Sequence, residues 1–402
     1  MKYIIILGDG MSDRPIERIG GKTPLMAAKI PNINSLCAKS RTGRLITVPD
    51  DMQPGSEVAN LAVLGYDVKE IYQGRGVLEA ASIGINVKPE DLVMRCNLIC
   101  IENEKIKNHS AGHISTKEAA EIIKTLNEQL ATDDIKFYSG VSYRHILILK
   151  NGLNKINCTP PHDVPGTPYR DVLIKPTDNS GKDTSDLLNN LIFKSHEILK
   201  NHPVNIKRLK KGKDPANSIW LWSPGNKPRM KTLKEMYGLT GAVISAVDLI
   251  QGIGVYAGME VIKVKGATGL YDTNYEGKAK ATIEAIKKYD LVYLHIEASD
   301  EAGHDGNVEL KIKTLEYLDK RVVKYIVEET KKINEKISIA ILPDHATPCE
   351  IKTHTHDSVP FLIYNSDKSP DNVKEYNENS TENGYYGILK GDEFIKKLIC
   401  DK

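Results

Sequence analysis

Residues 291–306 read LVYLHIEASDEAGHDG. The largely apolar run Leu291–Ile296 has the length and composition of a buried strand, and Asp300 and His304 follow it closely. The arrangement recurs twice. In residues 2–10, KYIIILGDG, Asp9 follows such a run; in residues 337–348, ISIAILPDHATP, Asp344 and His345 follow another, with His354 close behind. Runs apolar throughout belong to parallel sheets covered on both faces. Open parallel sheets carry their ligand sites at the carboxyl ends of strands. Three acidic clusters at three strand ends therefore predict one convergent site.

Working outward, further strands are predicted at Gly43–Val48, Ser218–Trp222, Gly241–Ser245, Met259–Val264 and Val359–Tyr364, beside Tyr3–Leu7, Leu291–Ile296 and Ile337–Leu342. Helical periodicity covers Asn34–Lys39, Glu57–Leu64, Val247–Gly254, Lys278–Lys288 and Val308–Ile333. Strands alternating with helices indicate an α/β fold with a mostly parallel sheet sandwiched by helices. Between residues 84 and 215 the pattern changes to polar segments with turn-rich stretches such as PPHDVPGTPYRD. That stretch reads as a smaller inserted α+β domain, 84–215, splitting a discontinuous larger domain, 1–83 and 216–402.

Composition narrows the partners. The net charge is +2, from 55 basic and 53 acidic residues without a basic stripe, which argues against nucleic acid. Cys37, Cys96, Cys100, Cys158, Cys349 and Cys400 contain no CxxC pair, so reduced thiols are expected rather than a disulfide framework. The first apolar run is too short for a signal peptide or a membrane span. A cytoplasmic protein with a small-molecule substrate and no membrane partner is expected.

The chemistry follows from residue types. Asp300 and His304 are four apart, so one helical turn brings both to the same side, where they can share a metal. Carboxylate with imidazole suits Zn2+ or Mn2+ better than Mg2+ or Ca2+. Asp344 and His345 are adjacent at a strand end, and a cation would compensate their burial. His354 and His356 are two apart, and only one need be a ligand. Ser56, in QPGSEVANLAVLGYD, starts a helical pattern: it is either a plain N-cap or a nucleophile held at the helix N-terminus. Two divalent ions about 3.5–4 Å apart would need about this many donors and would clamp an in-line phosphoryl transfer. GGKT at 20–23 lacks the first glycine of a phosphate loop, since Ile16 stands there, and GIGVYAG at 252–258 has the wrong spacing for a dinucleotide site.

The order Asp, Ser, insertion, Asp-x-x-x-His, Asp-His and His resembles the alkaline phosphatase superfamily. LGDGMSD, PGSEVANLAVLGYD, QGRGVLEAASIGI, NHSAGHIST, ATGLYDTNYEGKA, EASDEAGHDG and PDHATP resemble its cofactor-independent phosphoglycerate mutases, in particular the archaeal-type branch. The resemblance spans nearly the whole chain. It implies an alkaline-phosphatase-like fold and two divalent ions, Mn2+ first, with Zn2+, Co2+ or Mg2+ as alternatives. One ion would be held by Asp300, His304 and His354, the other by Asp9, Asp344, His345 and Ser56. Ser56 would be the phosphorylated nucleophile, and His356 a non-ligand. His109, Arg144, Lys207 and Arg208 would bind substrate. The reaction implied is the interconversion of 3-phosphoglycerate and 2-phosphoglycerate, with domain closure excluding water. A homoserine kinase-like phosphotransferase and a metal-dependent phosphatase or phosphopentomutase are the alternatives. Trp220–Ser223 stand where archaeal members resemble an Arg-Gly-x-Gly pattern, a departure close to the expected substrate.

Overall fold

The computed structural model describes residues 1–400. The chain divides into two compact units, Met1–Tyr72 with Arg229–Lys402, and Gln73–Pro228.

In the larger unit eight strands form one sheet. Their order is Met259–Val261, Gly241–Ile244, Leu291–Ile296, Lys2–Gly8, Ile337–Leu342, Val359–Tyr364, Ser40–Ile46 and Ile388–Lys390. The first five run parallel; Val359–Tyr364 is antiparallel to both its neighbours, and Ile388–Lys390 is parallel to Ser40–Ile46. Ile4, Ile5, Ile6 and Leu7 are all fully buried, which is why this strand reads as continuously apolar. Ile4 and Ile6 pack with Ile33, Leu36, Ile283, Leu315 and Val322 from helices on that face.

The helical pattern after residue 308 is not one helix. It runs as Val308–Tyr317, a π-helical turn Leu318–Val323 and Lys324–Thr330. Asp319, in that turn, is buried and accepts from the Ile33 N–H at 2.7 Å and from Asn32 Nδ2 at 2.6 Å, at the start of helix Pro31–Cys37. Its carboxylate satisfies donors that the first helical turn leaves open. The widened turn lies where this capping contact is made.

In the smaller unit, strands Lys105–Asn108, Asp91–Glu102, Arg144–Lys150 and Ile135–Tyr138 form an antiparallel sheet. Ser218–Gly225 also pairs with Asp91–Glu102, from Val93↔Gly225 to Ile99↔Ser218. Helices Thr116–Leu130 and Lys182–Leu199 bury Ile122, Leu126, Leu188 and Ile192 in the same core. These boundaries depart from the sequence expectation of 84–215. Helix Arg75–Ser82 and strand Ser218–Gly225 belong to the smaller unit, because the strand's backbone partner is Asp91–Glu102. The described cysteines form no disulfide.

Candidate active site

Parallel register puts the functional side chains at one edge of the larger unit's sheet. Leu7 pairs with His295 and with Leu342, and Gly8 with Ile296, so Asp9, Asp300 and Asp344 all follow the same end of adjacent strands. The turn after Lys2–Gly8 requires glycine. Gly10 has φ +59°, and a Cβ there would meet Asp300 Oδ1 and Thr347 Oγ1 at 2.6 Å. Its bare Cα lets the Asp300 carboxylate come close to the Asp9 turn.

Among the described residues, three groups of side chains bring potential ligand atoms within 4.8 Å of one another: Asp300, His304 and His354; Asp9, Asp300 and His345; and Asp9, His295 and Asp344. In the first, Asp300 Oδ2 is 3.2 Å from His304 Nε2 and Oδ1 is 3.4 Å from His354 Nε2. The two Nε2 atoms are 3.0 Å apart. Each ring's Nδ1 faces a backbone carbonyl, Lys352 O at 3.0 Å for His304 and Pro54 O at 3.4 Å for His354. An Nδ1–H donated to a carbonyl leaves Nε2 as the ligating nitrogen.

His345 repeats that logic. Thr347 Oγ1 donates to Asp300 Oδ1 at 2.5 Å and lies 3.2 Å from His345 Nδ1, so it can accept the ring proton there. His345 Nε2 is then left facing Ser56 Oγ at 3.1 Å, Asp344 Oδ2 at 3.5 Å and Asp9 Oδ1 at 3.6 Å. Ser56 is not the N-cap of its helix. Gly55 holds that position without a side-chain bond, and Ser56 is the first residue of Ser56–Val63, its hydroxyl directed to His345.

The charges here are not balanced within the protein. Burial, then the neighbouring Asp344 and Asp300 carboxylates, raises the Asp9 pKa well above the usual carboxylate range. Asp9 Oδ1 is buried with no hydrogen-bond partner among the described residues. Burial also pushes Asp300 up, but hydrogen bonds from His304 and His354 prevail and hold it well below its ordinary value. The bond to Asp300 raises His304 to about 9, so positive charge is favoured beside that carboxylate. Closely set carboxylates, an orphaned buried oxygen and inward-facing imidazole nitrogens fit divalent cations.

Several contributors were not foreseen from the sequence. Asn60, fully buried, donates through Nδ2 to Asp344 Oδ2 and to Ser56 O, both at 2.8 Å, and its Oδ1 accepts from Tyr293 at 2.5 Å. Asn60 lies one turn beyond Ser56, the spacing that could have pointed to it. Thr347, two residues after His345, ties that ring to Asp300. His295 is fully buried, and burial lowers it to about 3, a neutral imidazole. Lys278 is almost wholly buried and donates to His295 O at 3.1 Å. His356, by contrast, is exposed and its Nε2 faces Met52 O at 2.9 Å.

In the smaller unit, His109 is half-buried and meets Tyr143 and His162 edge-on, with centroids 5.7 and 5.9 Å apart. Arg144 is exposed at the start of its strand, and Lys207 is exposed on helix Pro203–Lys210. Arg208 was expected as an anion clamp, and the structure corrects this. It is 2% exposed, and its three nitrogens donate to Asp214 O, Glu118 Oε2 and Ala111 O at 2.8, 2.9 and 2.6 Å. With every nitrogen engaged, it is a structural tie. Trp222 lies under the Arg95 guanidinium at 4.3 Å and edge-on to His162 at 5.3 Å. Arg95 itself pairs with Glu79 at 3.0 Å. The departure at Trp220–Ser223 therefore supplies an aromatic support for a buried arginine near His162.

Comparison with known proteins supplies the family. The 2,3-bisphosphoglycerate-independent phosphoglycerate mutase of Methanosarcina acetivorans is 49% identical over 99% of this chain and 100% of its own length. The chain belongs to the 2,3-bisphosphoglycerate-independent phosphoglycerate mutase family. That family's model matches residues 37–205. A mutase of the same description from Methanothrix thermoacetophila is 45% identical over the full length of both chains. Among solved structures, the cofactor-independent phosphoglycerate mutase from Thermoplasma acidophilum is 27% identical, with a TM-score of 0.71 over 100% of this chain and 99% of that one. A protein from Pyrococcus horikoshii has a TM-score of 0.85 at 28% identity, over 100% of this chain and 98% of that one. Among the described residues no helix is long and apolar enough to cross a membrane.

Proposed function

We propose that this protein is a metal-dependent phosphoglycerate mutase, interconverting 3-phosphoglycerate and 2-phosphoglycerate through a phosphoserine at Ser56. The observation that carries the reading is Ser56 Oγ, 3.1 Å from His345 Nε2 and at the first residue of a helix. That position presents the hydroxyl at the first turn of the helix, where the positive end of the helix dipole favours phosphoryl oxygens.

Asp300, His304 and His354 would hold one divalent ion, and Asp9, Asp344 and His345, with Ser56, a second. Such ions, Mn2+ in our reading, offset phosphoryl charge and lower the pKa of a serine hydroxyl. Ser56 Oγ takes the phosphoryl group from O3 of 3-phosphoglycerate, and the proton it loses ends on the 3-hydroxyl of glycerate. The 2-hydroxyl of the reoriented glycerate then takes the phosphoryl group back, and its proton returns to Ser56. Asn60 holds Asp344 and the Ser56 carbonyl through one amide, so the nucleophile and a ligand keep a fixed relation. His109, Arg144 and Lys207 remain the candidates for binding the substrate's anionic groups. The reaction would serve glycolysis in the cytoplasm.

A substrate panel with added Mn2+ tests the proposal. Formation of 2-phosphoglycerate from 3-phosphoglycerate alone supports it. Release of inorganic phosphate as the main product, or phosphorylation of homoserine by ATP without mutase turnover, would overturn it.

A further inference from the structure

His295 stands on the strand between Gly241–Ile244 and Lys2–Gly8, and the ends of all three meet around it. Its ring is wholly buried. Its Nε2 lies 3.0 Å from Asp9 Oδ2 and has no aligned hydrogen-bond partner among the described residues, while Nδ1 is 3.3 Å from Ser245 Oγ.

We propose that His295 positions Asp9 for cation binding and that Ser245 fixes the tautomer with which it does so. The inference rests on the two-cation reading of the site. Ser245 Oγ already accepts the Val247 N–H at 3.0 Å, and Ser245 is 4% exposed. Were it also to accept from Nδ1, its own hydrogen would be left without a described acceptor in a buried place, which is costly. The hydroxyl therefore donates to Nδ1, and the ring proton resides on Nε2, toward Asp9 Oδ2.

The two oxygens of Asp9 are thereby divided. Oδ2 faces the imidazole Nε2 at 3.0 Å. Oδ1, 3.6 Å from His345 Nε2 and otherwise unpartnered, is directed to the ligand cluster. The backbone on both sides is also held: Asp9 N–H donates to Ile296 O at 2.9 Å, and Lys278 Nζ to His295 O at 3.1 Å. A carboxylate ligand oriented by an outer hydrogen bond loses less freedom on binding its cation. His295 is thus a positioning residue, acting through Asp9.

The test uses Mn2+ alone, counting sites and affinities by chelator competition on the full chain, with thermal unfolding measured alongside. Wild type should bind two equivalents. His295→Leu should weaken one of them by about 10- to 100-fold and leave the other unchanged. His295→Gln, whose amide N–H reaches toward the same oxygen, should restore most of that affinity. Loss in the Gln variant equal to that in Leu would make His295 a ligand in its own right and overturn the positioning role. Wild-type affinity in His295→Leu would overturn it too. Should the Leu variant fail to fold, Ser245→Ala decides: weaker binding of one equivalent supports the proposal, and unchanged binding contradicts it. Wild type binding no Mn2+ would sink the two-cation reading itself, an outcome distinct from any variant effect.

Discussion

His304 and His354 bring their Nε2 atoms to 3.0 Å, both beside the Asp300 carboxylate, while their Nδ1 atoms face the carbonyls of Lys352 and Pro54. Two neutral imidazoles so oriented would oppose lone pair to lone pair. A shared proton or a cation relieves that opposition, and the carboxylate between them favours positive charge. The two residues lie fifty positions apart, so this convergence is a property of the fold.

His354→Ala should therefore abolish one of two bound metal equivalents while leaving the fold intact, because His354 is only half-buried. Equilibrium dialysis followed by metal analysis would show it. Retention of both equivalents at wild-type affinity would remove His354 from the ligand set.

Asn60 links Tyr293, Asp344 and the Ser56 carbonyl. Asn60→Ala should lower kcat by about 10- to 100-fold, the usual cost of losing an outer partner of a metal ligand, which is the role proposed for Asp344. Steady-state kinetics at saturating Mn2+ would measure it. A change in KM alone would place Asn60 in substrate binding instead.

Gly10→Ala should destabilise the larger unit. The left-handed backbone costs about 1–2 kcal/mol for a residue with a Cβ, and the contacts at 2.6 Å to Asp300 and Thr347 add to that. Denaturant unfolding monitored beside wild type would detect the loss. Equal midpoints would show that the turn can relax.

His145 offers a pH test in the smaller unit. It is 2% exposed, its Nδ1 accepts the Gly140 N–H at 3.0 Å, and burial lowers it from an ordinary 6.5 to about 4. Above pH 6.5 the ring is neutral in both folded and unfolded chains and contributes no pH dependence. Between about 6.5 and 4 only the unfolded chain takes up the proton, so stability falls with pH. At pH 5 the loss relative to pH 7 should approach about 2 kcal/mol, by 1.36 kcal/mol per unit. Chemical unfolding of wild type and His145→Gln at both pH values would isolate it. An equal pH dependence in the two proteins would contradict this account.

Much of the candidate site was legible because the proposed ligands follow apolar strands. Asp9, Asp300 and the Asp344–His345 pair each come after a run whose burial the residue types announce. Their supporting groups were hidden for physical reasons. His295 lies inside such a run and shares its periodicity, so nothing in its spacing distinguishes it from a core residue. Asn60 and Thr347 act by hydrogen bonds, which leave no hydrophobic pattern. Arg208 looked like a surface cation because its partners, Ala111, Glu118 and Asp214, are distant in sequence or backbone atoms. The π-helical turn at Leu318–Val323 was masked by apolar spacing that continues through it. The unit boundary was misplaced because Ser218–Gly225 pairs with a strand more than a hundred residues earlier.

The central claim is that Ser56 carries the phosphoryl group. Mixing the Mn2+-loaded protein with 3-phosphoglycerate, quenching in acid and sequencing the peptides by mass spectrometry tests it most directly. The account predicts a phosphate on Ser56 and neither adduct nor turnover in Ser56→Ala. Turnover retained by Ser56→Ala, or phosphate trapped on another residue, would contradict it.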